Sequence, residues 1–560
     1  MTSVIRPFSL ALLLASILFL LCKESYTYPP RRHYAQSIPD LKVLVQFESK
    51  ISQDLTEKYL ADDSPLSTGS EIRRQVKLYL LDFYEECGFK KIEDTKNQTC
   101  LPAVRNSICV YRLFKRVKYL LSDLILRRSF RLQLGGLWRQ IIFFFWKNNW
   151  PLFRDLEFVA EGILRLHLIH DYDLKQFANG KISRKFTTNC TLSSAHCYEI
   201  SQIALSLRDF SSAIEWLELA KEKVLVDHQA SSSFIQFLLW NAIEKHNGYF
   251  DEDLFLDLEP TFFNREISHV PQDSRNATKI RNIQLETFKG NNERYYKDLN
   301  FLRLCSGQTQ PVNNESELFC WYELKTHLSL TIGPMKMEFL SRDPDVVQIY
   351  EVLHDKEMQP ILDDTSSRLQ PSMVGGKPSF KGNKLRDSAP VSVDKKTRTA
   401  LVSWYFGEVD MTVSQNIERI TGLHVLERTA AEDLQIAAYP LAGHYGSHLD
   451  AFSPALGNSE NMQRIATFMF YLSDVDEGGS TVFTSQGVAA TPVKGSALFW
   501  YDVYTDGSSD WSTTHGACPV VVGEKWAANK WIHYHDQFLK RKCGLKRIER
   551  FRIRVNDKLV

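Results

Sequence analysis

From about Asp343 the chain breaks into short β-rich runs, "QIAAYPLAGHYGSHLD", "IATFMFYLSDV", "STVFTSQG" and "GSALFWYDV", punctuated by Gly, Ser and Asp. Evenly spaced short strands each bury one face, so they must close on a second sheet; the pattern predicts a jelly roll or barrel, preceded by a helix over Met411 to Leu423. This feature constrains the rest. In such a fold, side chains distant in sequence converge on one interior, so chemistry-bearing residues are to be sought on different runs.

One run, "GHYGSHLDAF" from Gly443 to Phe452, places His448 and Asp450 two residues apart with Tyr445 just before them. On a strand, residues i and i+2 share a face, and an imidazole beside a carboxylate suits a metal. Roughly one His-x-Asp is expected by chance in a chain of this size, so the other runs must decide. His515, in "WSTTHGACPVVVGEKW", lies 65 residues beyond Asp450, and Lys525 ten residues beyond His515. Two histidines and one carboxylate on one side of the ion are the ligand set of non-haem Fe(II) oxygenases, with positions left open. A 2-oxo acid and O2 can take those positions. The far carboxylate of 2-oxoglutarate then needs a cation, and Lys525 on the following strand is the candidate; at 4 Å and an effective dielectric of about 20 such a pair gains roughly 4 kcal/mol before desolvation. His444 shares the parity of His448 and is expected at the rim, while His533 and His535, which could chelate a metal together, read rather as a solvated loop end.

The chain has 560 residues, enough for roughly three domains. Its net charge of +1 gives no electrostatic ground for nucleic-acid binding. Arg6 followed by the apolar run Phe8 to Cys22 reads as a secretory signal, expected over residues 1–28; an uncleaved anchor is the alternative, and no other segment is long enough for stable membrane insertion. Asn97, Asn189, Asn276 and Asn314 begin glycosylation sequons. Ten cysteines are present without a Cys-x-x-Cys, so a zinc knuckle or thioredoxin-type site is not expected, whereas disulfides are permitted. The C-terminal "VNDKLV" is not a Lys-Asp-Glu-Leu type retention signal, so such a chain would be exported unless held back by something else.

The first half is helical in pattern. Residues 37–60 carry apolar residues at helical spacing; residues 110–150 crowd basic residues ahead of "IIFFFW" and fit either a basic surface helix or a buried one. Around an Arg-Asp turn, "ALSLRDFSSAIEWLELA" holds Ala213, Leu217 and Ala220 where two helices approach closely, the mark of a tetratricopeptide (TPR) unit. A weaker second unit runs from Phe234 to Glu259 with Gly248 in its turn. Such pairs form concave peptide-binding surfaces, although a plain helical spacer fits the same pattern. Residues 365–398 read as a flexible loop.

The runs "NMQRIATFMFYLSDVDEGGSTVF", "KGSALFWYDV" and "THGACPVVVGEKWAANKWIH", with His448, Asp450, His515 and Lys525 at their spacing, resemble the alpha subunit of collagen-type prolyl 4-hydroxylase, a 2-oxoglutarate/Fe(II) dioxygenase. The resemblance implies a multidomain α+β chain: signal 1–28, N-terminal helical assembly domain 29–155, TPR-like peptide-binding domain 156–260, linker region with a disulfide 261–342, double-stranded β-helix (jelly-roll) dioxygenase domain 343–543 and basic tail 544–560. It implies His448, Asp450 and His515 as iron ligands and Lys525 with Thr467 and Tyr439 on the distal carboxylate of 2-oxoglutarate. Tyr445 and Trp531 would be aromatic neighbours of the iron and substrate pocket, and Cys305–Cys320 and Cys518–Cys543 disulfides. Cys197 matches a repeat-domain cysteine, its state left open. It further implies hydroxylation of peptidyl proline in collagen-like or other proline-rich chains, with Fe(II), 2-oxoglutarate, O2 and L-ascorbate, in the endoplasmic reticulum lumen, with protein disulfide isomerase as beta subunit of an alpha2beta2-type complex. Where the family's groove has tyrosines, this chain offers Phe234, Phe237 and Trp240. Three alternatives stand beside this reading: the same chemistry on another secreted substrate, a catalytically silent subunit that binds proline-rich chains, and a zinc hydrolase, which leaves Lys525 and Thr467 unexplained.

Overall fold

The computed structural model describes residues 34–59, 70–88, 104–121, 136–148, 150–170, 172–251, 300–308, 317–372, 397–452, 463–544, 546, 548–556 and 558. The signal segment, the loop beyond 372 and the sequons at Asn97, Asn276 and Asn314 lie outside these residues; Asn189 is exposed. No helix of the described residues is long and apolar enough to cross a membrane.

The N-terminal part is helical: α1 (Ile38–Tyr59), α2 (Ser70–Cys87), α3 (Ser107–Lys115), α4 (Gly136–Asn148), α5 (Phe153–His170), α6 (Leu174–Ala178), α7 (Ser194–Ser206), α8 (Phe210–Asp227) and α9 (Ser232–Asp251). The Arg-Asp turn joins α7 to α8 as expected. Arg208 takes a left-handed φ of 61°, and the Asp209 side chain caps Ser212 N. Ala204, Ala213 and Ala220 are fully buried, which lets the two backbones close up. The second unit differs from expectation, because α9 runs unbroken past Gly248; a lone glycine weakens a helix by about 1 kcal/mol without ending it. Two of the basic residues after 110 face inward. Arg112 and Arg116 are buried and paired with Asp82, Glu86 and Glu48, the Arg116–Glu48 contact being 2.8 Å.

The C-terminal part is built on antiparallel strands: β1 (Cys320–Glu323), β2 (Met335–Arg342), β3 (Asp345–Tyr350), β4 (Gln370–Pro371), β5 (Leu401–Tyr405), β6 (Leu434–Tyr439), β7 (Tyr445–His448), β8 (Arg464–Tyr471), β9 (Glu477–Gly478), β10 (Thr481–Phe483), β11 (Val488–Ala490), β12 (Ala497–Tyr501), β13 (His515–Ala517), β14 (Val520–Val522) and β15 (Lys525–His533). Helix α10 (Asp355–Ser366) precedes β4, and α11 (Glu408–Thr421) follows β5. One sheet has the order β1-β2-β3-β12-β8-β15-β6-β5-β4, a second the order β11-β10-β13-β7, and β14 pairs with β9. The larger sheet starts at Cys320, ahead of the expected boundary at 343, because β2 alternates buried Met337 and Phe339 with more exposed neighbours. The tail is no appendage either: Phe551 and Ile553 are buried in the main core of the sheet.

The two parts meet along α5. Arg165 donates to the Ala442 carbonyl at 2.8 Å, in the turn between β6 and β7, and Leu441, Ala442, Val521 and Val522 join the helical core. Cysteine pairing departs from expectation. Cys305 is bonded to Cys518, Cys109 to Cys190, and Cys87 is also bridged, while Cys320 and Cys543 are free and exposed and Cys197 is free and buried. The reason lies in packing. The helical stretch 300–305 docks Phe301 and Leu304 under β10 and β13, which brings Cys305 onto Cys518. Cys320 sits instead on the far edge of the larger sheet, and Cys543 lies past β15 beside Tyr534.

Candidate active site

His448 and His515 face each other directly across the β7–β13 pair, with ring centroids 4.3 Å apart. Asp450 lies two residues past the end of β7, in the following turn rather than on the strand, and is 6% exposed. Its Oδ1 is 3.7 Å from His448 Nε2 and its Oδ2 3.7 Å from His515 Nε2, and a donor atom from each of the three residues lies within 4.8 Å of the others. Each Nδ1 meets a backbone carbonyl: Gly446 O at 2.8 Å for His448 and Thr513 O at 3.0 Å for His515. A carbonyl only accepts, so both Nδ1 atoms donate. Each ring then turns an Nε2 lone pair toward Asp450, the tautomer a metal requires. Burial and the neighbouring His515 ring push His448 down to about 3, so it is neutral near pH 7. Burial alone would raise the Asp450 carboxyl; His515, His448 and Arg464 outweigh it and hold the group ionised. Two imidazoles that keep Nε2 toward Asp450 and one carboxylate fit Fe(II). Glu86, Cys109 and Cys190 also cluster, but that pair of sulfurs is a disulfide and offers no thiolate.

Lys525 is 1% exposed, and no carboxylate among the described residues pairs with it. Its Nζ donates to Gly479 O at 2.6 Å and stands 5.0 Å from the Tyr439 ring centroid and 5.5 Å from that of Tyr471. Burial pushes its pKa down to about 7. A buried ammonium with no carboxylate beside it among the described residues is a receptor for an anion. Tyr439 lies directly opposite Lys525 in register, so these two belong to one end of the site.

Thr467 does not. It pairs with Trp531, six positions along β15 from Lys525 and so about 20 Å of strand away. Its hydroxyl is 2.8 Å from Asp450 Oδ2 and 2.8 Å from Asp502 Oδ2. One hydroxyl proton serves only one acceptor, so the second contact needs a proton on a carboxyl. Asp502 is the one that holds it, because burial and the Asp450 charge push it well above the ordinary range. Thr467 is therefore a partner of the metal end, and the neighbours of Lys525 are Tyr471 and, through the Tyr471 hydroxyl at 2.8 Å, Thr481. Sequence reasoning missed both; Tyr471 shares strand parity with Thr467, and register alone separates their sites.

Tyr445 stacks on His448 at 3.5 Å between centroids, beneath the buried Arg398 guanidinium at 4.5 Å. Arg464 lies 3.8 Å over the Trp531 ring, donates to the Asp450 carbonyl at 3.1 Å and pairs with Glu432 at 2.6 Å. His533 is not solvated: it is buried, bonded to Thr429 O at 2.7 Å, and raised in pKa by its hydrogen bond to Glu432. His444 is fully buried rather than at a rim, with Nδ1 3.3 Å from the Thr399 hydroxyl.

An antiparallel sheet whose interior carries this triad defines a candidate metal centre, and residues 434–533 match the model of the 2OG-Fe(II) oxygenase superfamily. Homologues over most of the chain are prolyl 4-hydroxylase alpha subunits. The chain is 29% identical over 536 residues to "Prolyl 4-hydroxylase subunit alpha-1" of Caenorhabditis elegans, covering 91% of this chain and 90% of that protein. It is 26% identical over 445 residues to the Homo sapiens protein of the same name, covering 72% and 78%. Among solved structures, that of the viral collagen prolyl hydroxylase of Paramecium Bursaria Chlorella virus-1, in a 2OG complex, is 24% identical with a TM-score of 0.26 and covers 34% of this chain and 95% of that one.

Proposed function

We propose that this chain is the catalytic alpha-type subunit of a prolyl 4-hydroxylase acting on collagen-like or other proline-rich secretory proteins. Peptidyl proline, 2-oxoglutarate and O2 would give 4-hydroxyproline, succinate and CO2. The observation that carries the reading is the convergence of His448, Asp450 and His515 in the same domain as a buried Lys525 without a carboxylate partner among the described residues. His448 and His515 would each offer Nε2, and Asp450 a carboxylate oxygen. Iron, when bound, supplies O2 activation, and L-ascorbate would maintain Fe(II). Lys525 would take the distal carboxylate of 2-oxoglutarate, with Tyr439 and Tyr471 walling it from water. In this reading the two sheets form the double-stranded β-helix. The helices α7 to α9 form the TPR-like module, where exposed Phe234, Phe237 and Trp240 would stack on proline rings. Residence in the endoplasmic reticulum lumen and pairing with protein disulfide isomerase rest on the resemblance.

The test is succinate release by the chain, alone and in complex with protein disulfide isomerase, with and without Pro-Pro-Gly peptides. Peptide-dependent turnover is expected. A protein that binds metal and peptide yet releases no succinate would replace this reading with that of a binding subunit.

A further inference from the structure

The tail alternates basic and apolar residues, Arg550-Phe551-Arg552-Ile553. Phe551 and Ile553 enter the core, and the backbone is held by a bridge between Tyr504 and Arg550 and by Thr505 N donating to Glu549 O at 2.8 Å. Alternation turns the arginines the other way. Arg550 thereby reaches Asp510: Nε to Oδ2 is 2.6 Å, and Nη2 donates to Ser512 Oγ at 3.0 Å. Asp510 is 2% exposed; burial pushes its carboxyl up, and the hydrogen bonds of Arg550 and Ser512 more than offset this and hold it below the usual range. It also heads the single turn Trp511–Thr513, where Oδ1 accepts from Ser512 N at 3.0 Å and its carbonyl accepts from Thr513 N at 3.0 Å. The Thr513 carbonyl in turn accepts from His515 Nδ1 at 3.0 Å.

We infer that Arg550 is a positioning residue for His515. The tail acts as a strap: Arg550 fixes Asp510, Asp510 fixes the turn, and the turn presents the one carbonyl that sets the tautomer and plane of the His515 ring. Groups bonded directly to a ligating histidine typically alter metal affinity by 10- to 100-fold, and Arg550, acting through Asp510 and the turn, is expected at the lower end. The strap carries its own control. Arg552, two residues on, shares Asp343 with Arg550, whose Nη1 is 2.6 Å from Asp343 Oδ1, and pairs with Asp345, but among the described residues it reaches neither Asp510 nor the turn Trp511–Thr513. The inference rests on the reading of His515 as a metal ligand.

The experiment titrates Co(II) alone into the metal-free full chain, followed by visible absorbance, with melting temperature measured in parallel. Arg550→Met keeps Phe551 and Ile553 and is expected to weaken Co(II) binding about tenfold, while melting no lower than Arg552→Met. Arg550→Lys should recover part of the affinity, and Asp510→Asn, which keeps the acceptor for Ser512 N but loses the charge pair, should weaken it as Arg550→Met does. Wild-type affinity in Arg550→Met and Asp510→Asn, or equal weakening in Arg552→Met, would overturn the inference. A wild-type chain that takes up no Co(II) would overturn the ligand assignment and this inference with it, a failure visible before any variant is compared.

Discussion

Lys525 and the triad separate two losses that activity alone would merge. Lys525→Ala would leave the far carboxylate of 2-oxoglutarate buried without its counter-charge, at a typical cost of about 3–5 kcal/mol, or roughly two to four powers of ten in affinity. Metal content should survive, since His448, Asp450 and His515 are intact. His515→Ala should do the reverse. The dependence of succinate release on 2-oxoglutarate, measured beside metal content, distinguishes them; unchanged 2-oxoglutarate affinity in Lys525→Ala would remove this residue from the site. A pH dependence follows from the same burial. The free lysine titrates at about 7, whereas the anion-bound form must be charged, so binding takes up protons and the affinity falls as pH rises above about 7. Calorimetry at pH 7.5 in buffers of differing ionisation enthalpy should register that uptake, and a buffer-independent heat would contradict it.

Helix α9 presents Phe234, Phe237 and Trp240 at intervals of three, each about half exposed, with Tyr198 of α7 5.9 Å from Phe234. If this face holds proline rings away from the chemistry, Trp240→Ala should raise KM for long proline-rich peptides several-fold and leave kcat for a short peptide nearly unchanged. An equal fall in kcat for both lengths would count against it. The existence of such elements was readable because burial imposes a period: 2 along β2 and β5, about 3.6 along α7. Partners were less readable. Thr467 has the right parity for the interior face, but only register decides that it meets Trp531 rather than Lys525. Cysteine connectivity depends on which elements dock, and the family resemblance implied Cys305–Cys320 rather than the bridge to Cys518 that Phe301 and Leu304 create. The tail carried a signal that went unused, the alternation of Phe551, Ile553 and Val555 with three arginines.

At the scale of the whole molecule, the helical part buttresses the site. Helix α5 abuts the turn that leads into β7, and the bridge from Cys305 ends three residues past His515. A cross-linked Cys305–Cys518 peptide is expected in a non-reduced digest, and losing a native disulfide typically costs about 2–5 kcal/mol. The sharper test is Gly162, on α5. A Cβ there would come within 2.9 Å of the Ala442 Cβ, closer than such atoms stand. On an isolated helix, Gly→Ala stabilises by about 1 kcal/mol. Here neither partner is the end of a flexible side chain, and Ala442 is fixed by its amide's bond to Val520 O at 2.8 Å and by a left-handed φ of 57°. Overpacking of this kind typically costs 1–3 kcal/mol, so the contact outweighs the propensity. Gly162→Ala should therefore lower the melting temperature, and because the displaced turn leads to His448, it should also weaken Co(II) binding. Gly136→Ala, on α4 with open space around its Cβ position, should do neither. A Gly162→Ala protein more stable than wild type, with unchanged metal affinity, would mean that α5 and the β6–β7 turn are not packed together.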